Sequence, residues 1–309
     1  MPVLYWTSLR FDINIILWYN IFNMKNKSFT LIELLVVIVI IGILAGVIMI
    51  STSSSIDKAN IAKSKVFADS LRNSLLLNLV SEWKLDGNAL DSWGSNNGTW
   101  GGTTAPNTAA NYRSETECVK GQCLHFDGYD DGVSFTSINY LTNNWTCEHW
   151  INWEGQTNSC VFYAGSGGTS PNFLLRNSNN YFKFRPAGGA ETYYDFTNSG
   201  LYINKWTHVV WTADSSNNVI LYVNGNRVNT INMPSPYNNS MVFYNIGRSY
   251  GGTSYTYLGK MDEVRVYDNM LSSSQIKQNY IAGLNSMLSQ GNISKEDYNE
   301  RINALAYGQ

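Results

Sequence analysis

The sequence predicts an α+β chain built in three parts: a long N-terminal helix that crosses and assembles in a membrane, an all-β antiparallel sandwich, and a short helical tail. Three observations carry this. Residues 29 to 50 are apolar apart from Thr30, Glu33 and two glycines. Short alternating segments punctuated by Gly, Asn and Asp then run to about residue 268. Finally "SMLSQGNISKEDYNERINALAYGQ" returns to a helical pattern. Charged residues make up only 14% of the chain and the formal net charge is -2. No clustered basic face is visible, which argues against a nucleic-acid binder.

The apolar run comes first. About 22 residues at 1.5 Å each give roughly 33 Å of helix, enough to cross the hydrocarbon core. Lys25 and Lys27 precede it and no base follows until Lys58. This asymmetry keeps the N-terminus in the cytoplasm and places everything after the span outside. An ordinary signal anchor would explain the flanks but not Glu33, because an ionisable group inside a span is costly and marks a function with a partner.

The stretch "SFTLIELLVVIVIIGILAGV" resembles the N-terminus of type IV pilins and of type II secretion pseudopilins. The resemblance implies cleavage by a prepilin peptidase between Ser28 and Phe29, followed by N-methylation of Phe29. Ser28 departs from the glycine usual in that family. It also implies that Glu33 neutralises the new amine of a neighbouring subunit, since a charge left unpaired in a low dielectric is strongly disfavoured. Residues 1–28 are then the leader. Residues 1–23 fit neither leader nor domain, and the short basic "MKNKS" starting at Met24 is the expected translation start.

Residues 29–80 read as one helix. Phe67, Leu71, Leu75 and Leu79 recur every four residues and, with Val66, form an apolar stripe suited to packing on a globular domain. From about residue 82 to 282 the pattern becomes strands. "NNVILYVNGNRVN" is the clearest hairpin, with an Asn-Gly turn. Strands recurring every 8 to 12 residues or so suggest a sandwich.

The pieces "WKLDGNALDSWGSNNGT", "CLHFDGYDDGVSF", "WTCEHWINW", "NKWTHVVWTADSSNNVILYVNGNRV", "YNIGRSYGG" and "LGKMDEVRVYDNMLSSSQI" are similar, in that order, to concanavalin A-like or laminin G-like jelly-roll domains. The resemblance implies two packed antiparallel sheets with carbohydrate or protein ligands. It further implies a structural Ca²⁺ between Asp91, in the early loop, and Asp262, in the late strand. Hard oxygen ligands suit that ion, although Asp91 also reads as a turn initiator. Asp130 and Asp131 in "GYDDGV" read as turn residues first.

Some members of that superfamily hydrolyse glycans with a carboxylate cluster of the E-x-D-x-x-E type, which is missing here. Glu148 and Glu154 would stand roughly 20 Å apart along a strand, too far for either a retaining or an inverting pair. His149 and His208 lie beside tryptophans and read as packing or hydrogen-bonding residues. Trp93, Trp100, Tyr250 and Tyr255 fall in loops, where aromatic faces could stack on sugars.

The four cysteines, Cys118, Cys123, Cys147 and Cys160, lack the spacing and nearby histidines of a zinc site. An exported domain permits disulfides. Of three possible pairings, Cys118–Cys123 and Cys147–Cys160 are expected. The tail, residues 283–309, is expected to be helical, capped by Ser294 with Asp297 three residues later, and to pack on the sandwich.

These readings converge on a type IV pilin-like filament subunit displaying an adhesive or carbohydrate-binding domain, with no reaction of its own. Its partners are other pilin subunits, prepilin peptidase, the membrane through residues 29–50, and surface glycans or proteins. The precursor sits in the cytoplasm and inner membrane as a single-pass protein, and the assembled filament is extracellular. The alternatives are a secretion pseudopilin and a surface-anchored glycan hydrolase.

Overall fold

The computed structural model describes residues 30–44, 78–103, 109–141, 144–164, 172–176, 181–185, 194–196, 201–232, 241–249 and 255–307. The cleavage site Ser28–Phe29, the apolar stripe up to Leu75, and Tyr250 lie outside them. The chain divides into two compact units, residues 1–66 and 67–309. In the first, residues 31–44 form helix α1. Among the described residues no helix is long and apolar enough to cross a membrane, and the expected span continues past residue 44 into residues not described.

The second unit is a sandwich of two antiparallel sheets. The larger sheet runs in the order β13 (Asn226–Asn232), β12 (Asn218–Val223), β11 (Trp206–Ala213), β6 (Trp145–Trp153), β15 (Leu258–Tyr267), β4 (Cys123–Asp127) and β3 (Asn111–Arg113). Strand β1 (Leu79–Trp83) also pairs with β15. The smaller sheet runs β10 (Tyr194–Phe196), β9 (Tyr181–Arg185), β8 (Asn172–Arg176), β7 (Ser159–Ala164), β14 (Met241–Ile246), β5 (Val133–Leu141) and β2 (Gly98–Trp100). Leu79 and Val80, expected to end the helix, are therefore in a strand, where Leu79 stands opposite Tyr267. Pairing with β15 overrides their helical spacing.

Strand alternation builds the core between the sheets. Trp145, Cys147, Ile151 and Trp153 of β6 point inward with Val209 and Trp211 of β11 and Leu221 of β12. From the other sheet Phe135, Phe162, Phe182 and Phe184 meet them. The β12–β13 turn is Asn224-Gly225 with φ of 50° and 77°, both positive as a type I′ hairpin requires.

Every residue of β6 is buried, on both faces, because two helices cover the outer side of the larger sheet. Helix α2 spans Ser273–Gln290, with a capping box between Ser272 and Gln275 and left-handed Gly291 at its end. Helix α3 spans Lys295–Tyr307, and its first turn is capped by the bond from Asp297 N–H to Ser294 Oγ, 3.1 Å. The helical tail thus starts ten residues earlier than the expected residue 283. Ile276, Tyr280, Leu284 and Met287 form the buried stripe, a helical period that the neighbouring serines obscured. Trp150, Trp206, Tyr280, Leu284 and Leu305 share one cluster, so the tail packs on the sandwich as expected.

Candidate functional site

Glu33 is not bare at the start of α1. Its Oε2 accepts hydrogen bonds from Thr30 N–H at 2.9 Å and Thr30 Oγ1 at 2.8 Å, while Glu33 N–H donates to Thr30 Oγ1 at 3.3 Å. This reciprocal pattern is a capping box, with threonine at the N-cap and glutamate at the third helical position. The acid at the N-terminal end of α1 also favours the helix dipole. Around it Leu31, Ile32 and the following aliphatic side chains are exposed, a surface suited to lipid or to other helices.

Of the expected calcium pair, Asp91 lies in the β1–β2 loop and Asp262 in strand β15, each bound to its own set of backbone donors. Asp91 organises its own turn: Oδ1 accepts from the N–H groups of Glu82, Trp93 and Gly94, and Oδ2 from that of Asn96. Burial raises its pKa, but these backbone bonds bring it below the usual carboxylate value. The turn-initiator reading therefore describes what Asp91 does. Asp262 lies elsewhere, with Oδ2 accepting Val119 N–H at 2.8 Å and Lys120 N–H at 2.9 Å. Both donors belong to the loop closed by the Cys118–Cys123 disulfide. Burial, and then the neighbouring Glu263 carboxylate, push the Asp262 carboxyl well up. Glu263 has a φ of 49° within a break of register between Asp262 and Arg265, as a β-bulge requires.

Carboxylates converge instead at one end of the sandwich. Ligand atoms of Asp127, Asp130 and Asp131, in the β4–β5 turn "DGYDDG", lie within 4.8 Å of one another. Asp131 Oδ2 accepts from Asp127 N–H at 2.8 Å, and Asp127 Oδ1 from Tyr129 N–H at 2.9 Å. Asp130 Oδ2 takes both Thr103 N–H and Thr103 Oγ1, at 3.1 and 3.0 Å. Beside them Arg248 donates to Asp130 O at 2.9 Å and to Gly101 O. The oxygen set suits a hard cation, so these three aspartates could hold a metal, with Arg248 already offsetting part of their charge. Asp127 was missed because it closes a strand; the spacing D-x-x-D-D was the available signal. Tyr129 and Tyr255 are exposed near this end, and Trp93 is exposed in the β1–β2 loop.

A second polar group is sealed from solvent. Glu148 on β6 is fully buried. His208 Nε2 lies 2.8 Å from its Oε1, while Tyr267 OH and Asn279 Nδ2 donate to Oε2 at 3.0 and 2.9 Å. Burial raises the Glu148 pKa, but the His208 hydrogen bond and charge, with Arg265 and Tyr267, outweigh it and lower it. Arg265 continues the network, with Nε 2.8 Å from Glu82 Oε1 and NH2 paired to Glu263. Glu154 belongs to a different group, 3.1 Å from His125 Nε2. The two glutamates are held apart in separate networks, and His208 bonds as expected.

Only one of the expected disulfides forms. Cys118–Cys123 is closed, but Cys147 and Cys160 are free and buried. They sit on β6 and β7, which belong to opposite sheets rather than neighbouring strands. Burial pushes both thiols up.

Residues 127–277 match the family described as the concanavalin A-like lectin/glucanases superfamily. Residues 23–49 match the prokaryotic N-terminal methylation motif. No curated protein matches the chain in sequence. Among solved structures, domain 4 of AbnA, a GH43 extracellular arabinanase from Geobacillus stearothermophilus solved with arabinotriose, has a TM-score of 0.52 at 20% identity. That match covers 65% of this chain and 97% of the domain. The binding domain of Paraclostridial Mosquitocidal Protein 1 has a TM-score of 0.51 at 14% identity, and that of botulinum neurotoxin serotype D 0.50 at 15%. Each match covers 68% of this chain and 53% of the other, so the chain spans about half the length of those two. At these identities the likeness is one of fold.

Proposed function

We propose that this chain, which joins a prokaryotic N-terminal methylation motif to a concanavalin A-like sandwich, is the subunit of a type IV pilin-like filament that displays an adhesive, carbohydrate-binding domain outside the cell. The observation that carries the reading is the N-terminal motif itself, with Glu33 set one helical turn after the proposed cleavage point. Prepilin peptidase removes the leader before Phe29, the new amine is methylated, and Glu33 receives the amine of a neighbouring helix. The apolar face of α1 then passes from lipid to other subunits without exposing a lone charge.

The sandwich binds rather than reacts. Glu148, which pairs with His208, is fully buried and engaged by the side chains of His208, Tyr267 and Asn279, which supports a structural role. The sugar-bound arabinanase domain supports a saccharide as the ligand class. A structural cation in the Asp127–Asp131 turn would hold the sandwich end rigid, in place of the Asp91–Asp262 pair. Electron microscopy of native surface appendages, with mass spectrometry of the subunit's N-terminus, tests the reading. Filaments whose subunits begin at methylated Phe29 are expected. A chain retained with its leader and no filament would overturn it, and a secretion defect on deletion without a surface filament would favour the pseudopilin.

A further inference from the structure

We propose that the Cys118–Cys123 bridge is an oxidative latch: closing it completes the seat on which the α2–α3 hairpin docks, and the docked hairpin in turn shields the bridge from thiols. The latch stands on the geometry of the sandwich. Only the place of its closing, outside the cell, rests on the exported reading above.

The loop that the bridge closes faces two ways. On one side the successive N–H groups of Val119 and Lys120 both donate to Asp262 Oδ2 on β15, at 2.8 and 2.9 Å. On the other side the carbonyls serve the tail. Val119 O accepts from Gln290 Nε2 at 2.8 Å, and Cys118 O and Glu115 O accept from Asn292 Nδ2 at 2.7 and 2.6 Å. Gln290 is the last residue of α2, and Asn292 lies in its connection to α3. Val119 alone therefore holds the sheet through its N–H and the tail through its carbonyl.

Apolar contacts repeat the plan. Cys118, Val119 and Cys123 share one buried cluster with Leu284 and Met287 of α2 and Leu305 of α3, and both cysteines are fully buried within it. Interiors are close-packed, so bonded sulfurs give the hairpin a fixed surface to meet. Opening the bridge restores freedom to the loop. The amides then leave the buried Asp262 carboxyl short of donors, which is costly, and the carbonyls lose their alignment toward Gln290 and Asn292. Coupling between two such events is reciprocal: whatever the bridge adds to docking, docking adds to the bridge.

Opening requires a dithiol. One of its thiolates attacks a cysteine sulfur and breaks the Sγ–Sγ bond, and its second thiolate resolves the mixed disulfide. The dithiol loses two electrons and two protons, and Cys118 and Cys123 become thiols. Closing is the reverse exchange, with a protein disulfide outside the membrane as the oxidant. A chain still in a reducing cytoplasm then carries a loose tail, and an exported chain a latched one.

The test uses the full chain in detergent micelles, either oxidised or kept throughout in dithiothreitol, with amide hydrogen exchange read by mass spectrometry. Reduction should speed exchange across α2 and α3 at least about tenfold, while β7 in the other sheet keeps its protection. C118S/C123S should match the reduced chain. The reciprocal arm takes oxidised Q290A/N292A and times reduction of the bridge by dithiothreitol, trapped with iodoacetamide and read by intact mass. Its bridge should open at least about tenfold faster than that of the unmodified chain. Equal tail protection in both redox states, or an unchanged reduction rate in Q290A/N292A, overturns the latch. Exchange in β7 that rises by the same factor as in the tail makes the bridge a brace for the whole sandwich and also overturns it. Subunits from intact cells that hold Cys118 and Cys123 as thiols overturn the exported site of closing, while the exchange arms decide the latch separately.

Discussion

His149 points between the two sheets, its ring edge-on to Phe162 at 4.7 Å between centres, and neither ring nitrogen has a hydrogen-bond partner among the described residues. Burial, with the nearby His208, drives its pKa well below the ordinary 6.5. The folded chain refuses this proton and the unfolded chain accepts it. Stability from this residue is therefore complete above about pH 6.5 and falls as the pH drops below that value, by at most about 1.4 kcal/mol per pH unit. Chemical denaturation at pH 7.5, 6.0 and 5.0 should show this slope, and His149→Phe should flatten it; an unchanged slope in the variant would assign the effect elsewhere. Cys147 and Cys160 make a second residue-scale case. Iodoacetamide should label neither in the native protein and both after unfolding without reductant, read by intact mass. Their expected pairing placed them on neighbouring strands of an exported domain, whereas β6 and β7 belong to different sheets.

At the scale of elements, the Asn224-Gly225 hairpin was legible because a type I′ turn demands two residues that tolerate positive φ. A Cβ on Gly225 would lie 2.6 Å from Leu305 Cδ1 and 3.3 Å from Tyr280 Cδ1. Gly225→Ala should therefore cost about 1 to 3 kcal/mol by thermal unfolding, from backbone strain and from displacing α3. Strand β1 was hidden, because Leu79 and Val80 continue a helical stripe and only β15 supplies their pairing partners. The same strand brings Glu82 to Arg265. Burial raises the Glu82 pKa, but the Arg265 charge and hydrogen bond, with Ser92 and Lys84, lower it to about 2. This pair stabilises the fold above about pH 4.5, and its contribution is lost as the pH falls toward 2. Acid unfolding of Glu82→Gln should lack that component.

For the whole molecule, filament assembly is the property at stake. Glu33→Ala should still insert and be cleaved but should form few or no filaments, scored by electron microscopy beside a cleavage assay; normal filaments would reject the charge-pair argument. Thr30→Val provides the matching test of the capping box. It removes the hydroxyl that both donates to and accepts from Glu33, so the first turn of α1 should lose about 1 kcal/mol of capping. The amine-pairing role of the carboxylate would remain, and filaments should still form.

Sequence alone was enough for the methylation motif, the alternation of the sandwich strands and the capped helical tail, because each depends on residues near one another in the chain. Local backbone rules act at that range. Which cysteines bond, and how Glu148 and Glu82 come together around Arg265, were decided only by the tertiary structure. Those features depend on strands distant in sequence becoming neighbours: β15 beside β4 and β6, and α2 laid across Trp150 through Gly283, whose missing side chain leaves room for the indole.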